Sequence, residues 1–204
     1  MYIPEHFKMS EADTNAFLET VRAGTLITIE SGRPVASFIP LTLVGGDRLT
    51  SHIGKVNPHN SCDLALIILM SEDAYVSHDW MSPGIAPSWN YETVHLYGKL
   101  TIHTDPDWII ASFDDMLRRF SHSSNDDYEP DWLEKQARAC HGVEFEIVDI
   151  QAKSKLSQNR SEADVRTIAD HLESSNPHLA SRMREVSLPH IVAREARVSQ
   201  ARNR

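Results

Sequence analysis

Two cysteines in 204 residues, Cys62 and Cys140, are too few and too far apart for a disulfide framework or a metal knuckle, and they read as buried thiols. Long apolar runs are missing as well. The longest spans residues 64–70, far short of the roughly 18 residues a membrane span needs, so no membrane association is expected. Glycine is sparse, and none of it builds a phosphate loop: Gly45-Gly46 lack the following Lys-Ser/Thr, and no G-x-G-x-x-G occurs. Motif-borne dinucleotide and P-loop nucleotide binding are thereby excluded. The histidines form no His-Glu-x-x-His or His-x-His pair, and no Cys-x-x-Cys joins them, so no metal is expected. A G-x-S-x-G elbow is also absent. The start, Met-Tyr-Ile-Pro-Glu-His-Phe, lacks the basic and apolar regions of a secretory signal, which points to the cytoplasm.

What is present is an ordinary globular composition. With 41% hydrophobic and 24% charged residues, the chain can build a real core and is neither disordered nor fibrous. The net charge of −9 is unevenly placed. Residues 1–150 hold 10 Lys and Arg against 23 Asp and Glu, whereas residues 151–204 hold 10 against 6. An acidic body with a basic end argues against general nucleic-acid binding, because phosphate neutralisation needs a cationic face on the body itself. No helix-turn-helix pattern is recognisable, so direct DNA contact is not expected.

Local patterns predict mostly strands in the first 150 residues. Ser10 and Asp13 open a short helix carried by Phe17 and Val21, with Gly24 as its stop. Residues 25–30 and 34–39 flank Ser31-Gly32 as a hairpin. Residues 48–53 and 64–70 read as a second pair around the turn Asn57-Pro58-His59-Asn60. The clearest alternation covers residues 93–103: Val94, Leu96, Gly98, Leu100 and Ile102 share one face, and His95 lies on the other. Asp105-Pro106 starts a helix over Ile109, Phe113, Met116, Leu117 and Phe120; residues 132–139 give a short helix, and Val143, Phe145 and Ile147 a last strand. Ser161 and Asp164 cap a further helix, and Pro177 starts another. Hairpin-linked strands without βα alternation predict a mainly β fold with flanking helices (α+β), an antiparallel barrel. The expected division is a barrel domain over 1–150, a polar segment and helices over 151–188, and a basic tail over 189–204 that is either a loose helix or disordered.

Three segments are polar against apolar surroundings: 51–58, containing His52, Lys55 and Asn57; 86–91, containing Ser88, Trp89 and Asn90; and 153–160, containing Lys155, Ser157, Gln158, Asn159 and Arg160. Each read alone suits a surface turn or a cap. Read in order, with Met-Tyr-Ile-Pro-x-His-Phe at the start, Pro40 after Ala36-Ser37, and Asp73-Ala74-Tyr75-Val76-Ser77, the sequence resembles the PaiB-type family of FMN-binding negative transcriptional regulators. The likeness runs from residue 1 to about 186. It implies an antiparallel split β-barrel of the FMN-binding type, a homodimer, and flavin held at the subunit interface.

A flavin phosphate needs cationic and hydroxyl donors, and the ring needs an apolar slot edged by polar groups. On the resemblance, Lys55 and residues 153–160, including Lys155, Ser157, Gln158, Asn159 and Arg160, supply polar and anion contacts. Ser88, Trp89 and Asn90 form a wall, with His52, Asn57 and His95 completing the cofactor-binding set. Phe38, Ser51, Lys55 and Ser154 stand where the family commonly has His, Gly, Arg and an aromatic. A branch of similar proteins, the piperazate synthases, shares His-x-x-x-x-Asn-Pro and Lys-Leu-Ser-Gln; that likeness implies haem b with His52 as axial ligand. A flavin-dependent reductase is the third reading, and no residue decides whether the protein is an enzyme.

Overall fold

A computed structural model describes residues 1–20 and 22–202, so Val21 of the expected first helix lies outside the described residues. The elements are helix α1 (Glu11–Glu19), strands β1 (Ala23–Glu30), β2 (Arg33–Pro40), β3 (Thr42–Val44), β4 (Arg48–Gly54), β5 (Cys62–Val76) and β6 (Ser88–His103), helices α2 (Pro106–Phe120) and α3 (Pro130–Ala137), strand β7 (Cys140–Lys155), and helices α4 (Glu162–Leu172), α5 (Pro177–Arg182) and α6 (Leu188–Arg202). One turn of π-helix, Met183–Ser187, joins the last two helices.

The strands form a single open antiparallel sheet in the order β2-β1-β5-β6-β7-β4-β3. With its flanking helices this is the α+β split-barrel arrangement. The β1–β2 hairpin turns on Ser31 and Gly32, at φ 51° and 77°, because two left-handed residues match the twist of the strands they join. Residues 48–54 and 62–76 are not hairpin partners, contrary to expectation: β4 pairs with β3 and β7, and β5 pairs with β1. Their connection is too long for a two-residue turn and carries Pro58, so nothing folds one back on the other.

By compactness the chain divides into two units. The first comprises Met1–Ser10, Met70–Thr93 and the chain from Ala152 onward; the second comprises Glu11–Leu69 and Val94–Gln151. The second unit holds the inner face of the barrel. Leu26, Leu49, Ile67, Val94, Leu96, Leu100, Val143 and Phe145 have no exposed surface there. Val94, Leu96, Gly98 and Leu100 occupy the buried side of β6, as the alternation predicts. Gly98 is required by packing, since an added Cβ would fall on the Glu146 carbonyl oxygen and crowd the Phe145 ring. Gly24, expected as a helix stop, instead lies in β1, where a Cβ would press on Leu69 and Leu41. Asp105 caps α2 by accepting from the Asp107 N–H.

The first unit packs its helices around a separate apolar cluster that includes Val76, Leu156, Val165, Ile168, Leu172, Leu179, Met183 and Ile191. Ser161 caps α4 by accepting from the Asp164 N–H. Through Arg202 the basic tail is helical as α6, whose Ile191 is buried, and the last two residues of the expected tail lie outside the described residues.

Candidate functional site

In the first unit, the start of β6 and the end of β7 bring two of the three polar segments together. Lys155, at the last position of β7, donates to Ser88 Oγ at 2.7 Å and to the Trp89 carbonyl at 2.6 Å. Its ammonium also lies 5.7 Å from the centre of the Tyr91 ring, and that of Lys153 lies 5.5 Å from the same ring. Burial, followed by the like charges of Lys153 and Arg160, holds the Lys155 pKa below the usual lysine value. Its partners are a hydroxyl, a carbonyl and an aromatic face, none of which neutralises it. Trp89 is half exposed; its indole N–H donates to Asp73 at 2.7 Å, and Tyr75 meets its ring edge-on.

After Lys155 the chain reverses at Ser157, whose φ of 70° is left-handed. The reversal is held by its own side chains. Ser157 Oγ donates to Asn90 Oδ1 at 3.0 Å, and Asn90 Nδ2 in turn contacts the Met183 sulfur. Gln158 accepts from the Leu156 N–H and donates to the Ser154 carbonyl. Asn90, Ser157 and Gln158 are all buried. Asn159 is exposed and Arg160 half-buried, and Arg194 donates to the carbonyls of Gln158 and Arg160.

Behind this reversal lies a buried charge network that sequence reading missed. Glu92 accepts from Ser154 Oγ at 2.6 Å and from Arg182 Nε and Nη2 at 3.1 Å each. The signal was available: Asn90 and Glu92 share the parity of Val94 and Leu96, so a carboxylate stands on the apolar side of its strand.

The remaining expected residues, His52, Lys55, Asn57 and His95, belong to the second unit. His52, on β4, places its ring edge-on to Phe113 with centroids 5.3 Å apart, and burial lowers its pKa. His95 lies half-buried on β6 and is shifted the same way by burial. Lys55 is exposed in the turn after β4. Asn57 donates to Ser37 Oγ at 3.1 Å. Ser37 also contacts His59 Nε2 at 3.0 Å, His59 Nδ1 contacts Thr28 Oγ1 at 2.7 Å, and Thr28 donates to Glu30 at 2.8 Å. This chain of polar groups was not anticipated, since His59 lies in an irregular segment with no periodic pattern to mark it. A separate cavity of about 560 Å³ in the same unit is lined by Asp107, Asn125, Tyr128, Glu129, Leu133 and Glu134, and includes none of the expected residues.

Among the described residues, no group of three or more His, Cys, Asp and Glu side chains could hold a metal ion, and no helix is long and apolar enough to cross a membrane.

Comparison with known proteins adds a family to this geometry. The model of a family described as "Putative FMN-binding domain" matches residues 1–149. Protease synthase and sporulation protein PAI 2 of Bacillus subtilis is 32% identical over 199 residues, covering 91% of this chain and 96% of that protein. Among solved structures, an FAD and heme binding protein of Mycobacterium smegmatis superposes with a TM-score of 0.59 at 19% identity over 74% of each chain. The flavocytochrome Anf3 of Azotobacter vinelandii gives 0.55 at 14% identity, over 71% of this chain and 67% of its own. These structural likenesses establish the split-barrel fold. Together, the family match over residues 1–149 and the near full-length kinship with PAI 2 establish that the chain belongs to the PaiB-type family of FMN-binding-domain proteins.

Proposed function

We propose that the protein binds flavin mononucleotide, with Lys155, Lys153 and Arg160 as its anion-binding side. The observation that carries this reading is Lys155: a partly buried ammonium, pre-positioned by Ser88 and the Trp89 carbonyl, crowded by two further cations and paired with no carboxylate among the described residues. Such a donor set fits a phosphate, which would relieve the like-charge repulsion and accept its hydrogen bonds. The flanking aromatics Trp89, Tyr91 and Tyr75 suit the planar, partly apolar remainder of a flavin. When bound, the flavin supplies redox chemistry; the protein's residues hold and orient it.

The reading extends to a homodimer. On the outward face of the sheet, cross-strand register places Phe38 beside Thr25 and Ile68, and Ala36 beside Ile27 and Leu66. Ile29 and Leu64 continue the same strand faces, and Phe38, Ile29 and Leu64 are 77%, 63% and 71% exposed. A contiguous apolar face of this kind favours a second copy of the chain, with the cofactor at their interface. Regulation through the bound cofactor or a protein partner, rather than direct DNA contact, suits a body of such acidity.

Titration with FMN, read by quenching of flavin fluorescence, tests the cofactor. Saturable quenching that weakens at least tenfold in Lys155→Ala is expected. A colourless protein that quenches nothing overturns the reading, and a Soret band in the purified protein, lost in His52→Ala, would replace it with haem.

A further inference from the structure

The polar chain in the second unit has the parts of a nucleophilic site, and its hydrogen count fixes their roles. Thr28 has one hydroxyl hydrogen, which goes to the Glu30 carboxylate at 2.8 Å. The proton in the 2.7 Å contact between Thr28 and His59 therefore belongs to Nδ1 of the imidazole. Nε2 is left with its lone pair, and it accepts the hydroxyl hydrogen of Ser37 across 3.0 Å. Glu30 is held ionised by hydrogen bonds from the Asn60 side chain, Thr28 and the Asn60 N–H. Burial keeps His59 neutral by lowering its pKa, against the opposing pull of Glu30. His59 is only 3% exposed, whereas Ser37 is half-buried, on the face of β2 opposite Phe38.

We propose that Ser37 is a nucleophilic serine, and that His59, Thr28 and Glu30 activate it for hydrolysis of small uncharged carboxylic esters. The proposal does not depend on flavin binding. Ser37 Oγ attacks the ester carbonyl carbon while its proton passes to His59 Nε2. The bond to the alcohol oxygen then breaks, and that proton goes to the departing alkoxide. Water, giving a proton to His59, cleaves the acyl–Ser37 ester; the proton returns to Ser37 Oγ and a carboxylic acid is released. The Asn57 amide, 3.1 Å from Ser37 Oγ, is close enough to donate to the oxyanion that forms on the attacked carbon. Val35 and Ile39, on the same face of β2, favour an apolar acyl group, and Glu30 disfavours an anionic one. Ser37 sits on a strand rather than on a strand–turn–helix elbow, so sequence motifs for serine hydrolases do not report it.

The test is covalent capture of the full-length protein with a fluorophosphonate, with the modified residue located by peptide mass spectrometry, alongside hydrolysis of p-nitrophenyl acetate. Labelling at Ser37 is expected, slowed by roughly 100-fold or more in His59→Gln, the loss typical of a missing general base. The rate should also fall as pH drops through the histidine range. Circular dichroism of His59→Gln separates loss of the base from loss of fold. Absence of label from Ser37 in the wild-type protein, or an unchanged rate in a folded His59→Gln, overturns the proposal.

Discussion

Replacing Glu92 by leucine should be among the most damaging single changes in the first unit, and the structure gives the size of the loss. The carboxylate side chain is 3% exposed and the Arg182 side chain 20%. Removing it takes from the guanidinium its buried carboxylate, and the Glu185 carboxylate, at 3.1 Å but 55% exposed, is too well solvated to replace it. It also leaves the buried Ser154 hydroxyl without its acceptor. Breaking a buried pair from one side costs about 3–5 kcal/mol. Near 4 kcal/mol, a chain of this length should melt roughly 8–16 °C lower. Substituting both partners, Glu92→Leu with Arg182→Met, removes the charges together and should recover most of the loss, because apolar replacements of similar volume often match a buried ion pair. Urea unfolding followed by tryptophan fluorescence and far-UV circular dichroism measures the wild type, Glu92→Leu, Arg182→Met and the double variant. A double variant as unstable as the two single variants added together would show that the pair is not coupled, and would refute the network as the structural spine behind the Lys155 reversal.

Gly98→Ala should cost about 3 kcal/mol, measured by urea unfolding, because the new methyl meets backbone at Glu146 and the Phe145 ring rather than a flexible side-chain end. Acid should destabilise the fold before any carboxylate titrates. Burial depresses the pKa of His52 and His59, so below about 6.5 the unfolded chain takes up protons that the folded chain refuses, and stability present at pH 7 is lost as pH falls. Unfolding midpoints between pH 7 and 5 test this, and His59→Gln should flatten the slope. Phe38→Glu should shift a dimer to monomer in light scattering while leaving the melting temperature of the monomer within about 3 °C, since the side chain is largely exposed.

What could be read from the sequence was what depends on neighbours in the chain. Ser31-Gly32 specifies its hairpin through two left-handed residues, Asp105-Pro106 starts α2 by capping, and the alternation of Val94, Leu96, Gly98 and Leu100 identifies the buried side of β6. Strand partnership was not local. β4 and β5 are adjacent in sequence yet pair with β7 and β1, choices set by which apolar faces fit across the sheet. The tail was ambiguous because its stability comes from elsewhere: Arg194 donates to the carbonyls of Gln158 and Arg160. Few apolar residues suffice for α6 when its arginine satisfies two loop carbonyls. The polar segments 86–91 and 153–160 were recognised individually, and the structure joins them through Lys155–Ser88 and Ser157–Asn90. The relay through His59 and Thr28 joins residues 31 positions apart and leaves no pattern in the chain.

Within residues 155–160, burial separates two kinds of work. Ser157 and Gln158 spend their polar groups on Asn90, Leu156 and Ser154, and both are closed to solvent. A ligand could recruit them only by breaking bonds that keep the strand reversal in place. They are therefore positioning residues, and their replacement by alanine should lower stability and cofactor affinity together. Lys155 differs, since its hydrogen bonds hold the side chain without discharging it. Lys155→Met keeps the apolar stem and removes the charge together with the hydrogen bonds to Ser88 and the exposed Trp89 carbonyl; relief of burial and of repulsion from Lys153 and Arg160 offsets that loss, so the melting temperature should stay nearly unchanged. Anion affinity should fall in the same variant. Stability and binding that fell in proportion would place Lys155 with Ser157 and Gln158 as a scaffold residue, and the phosphate side of the site would have to be sought elsewhere.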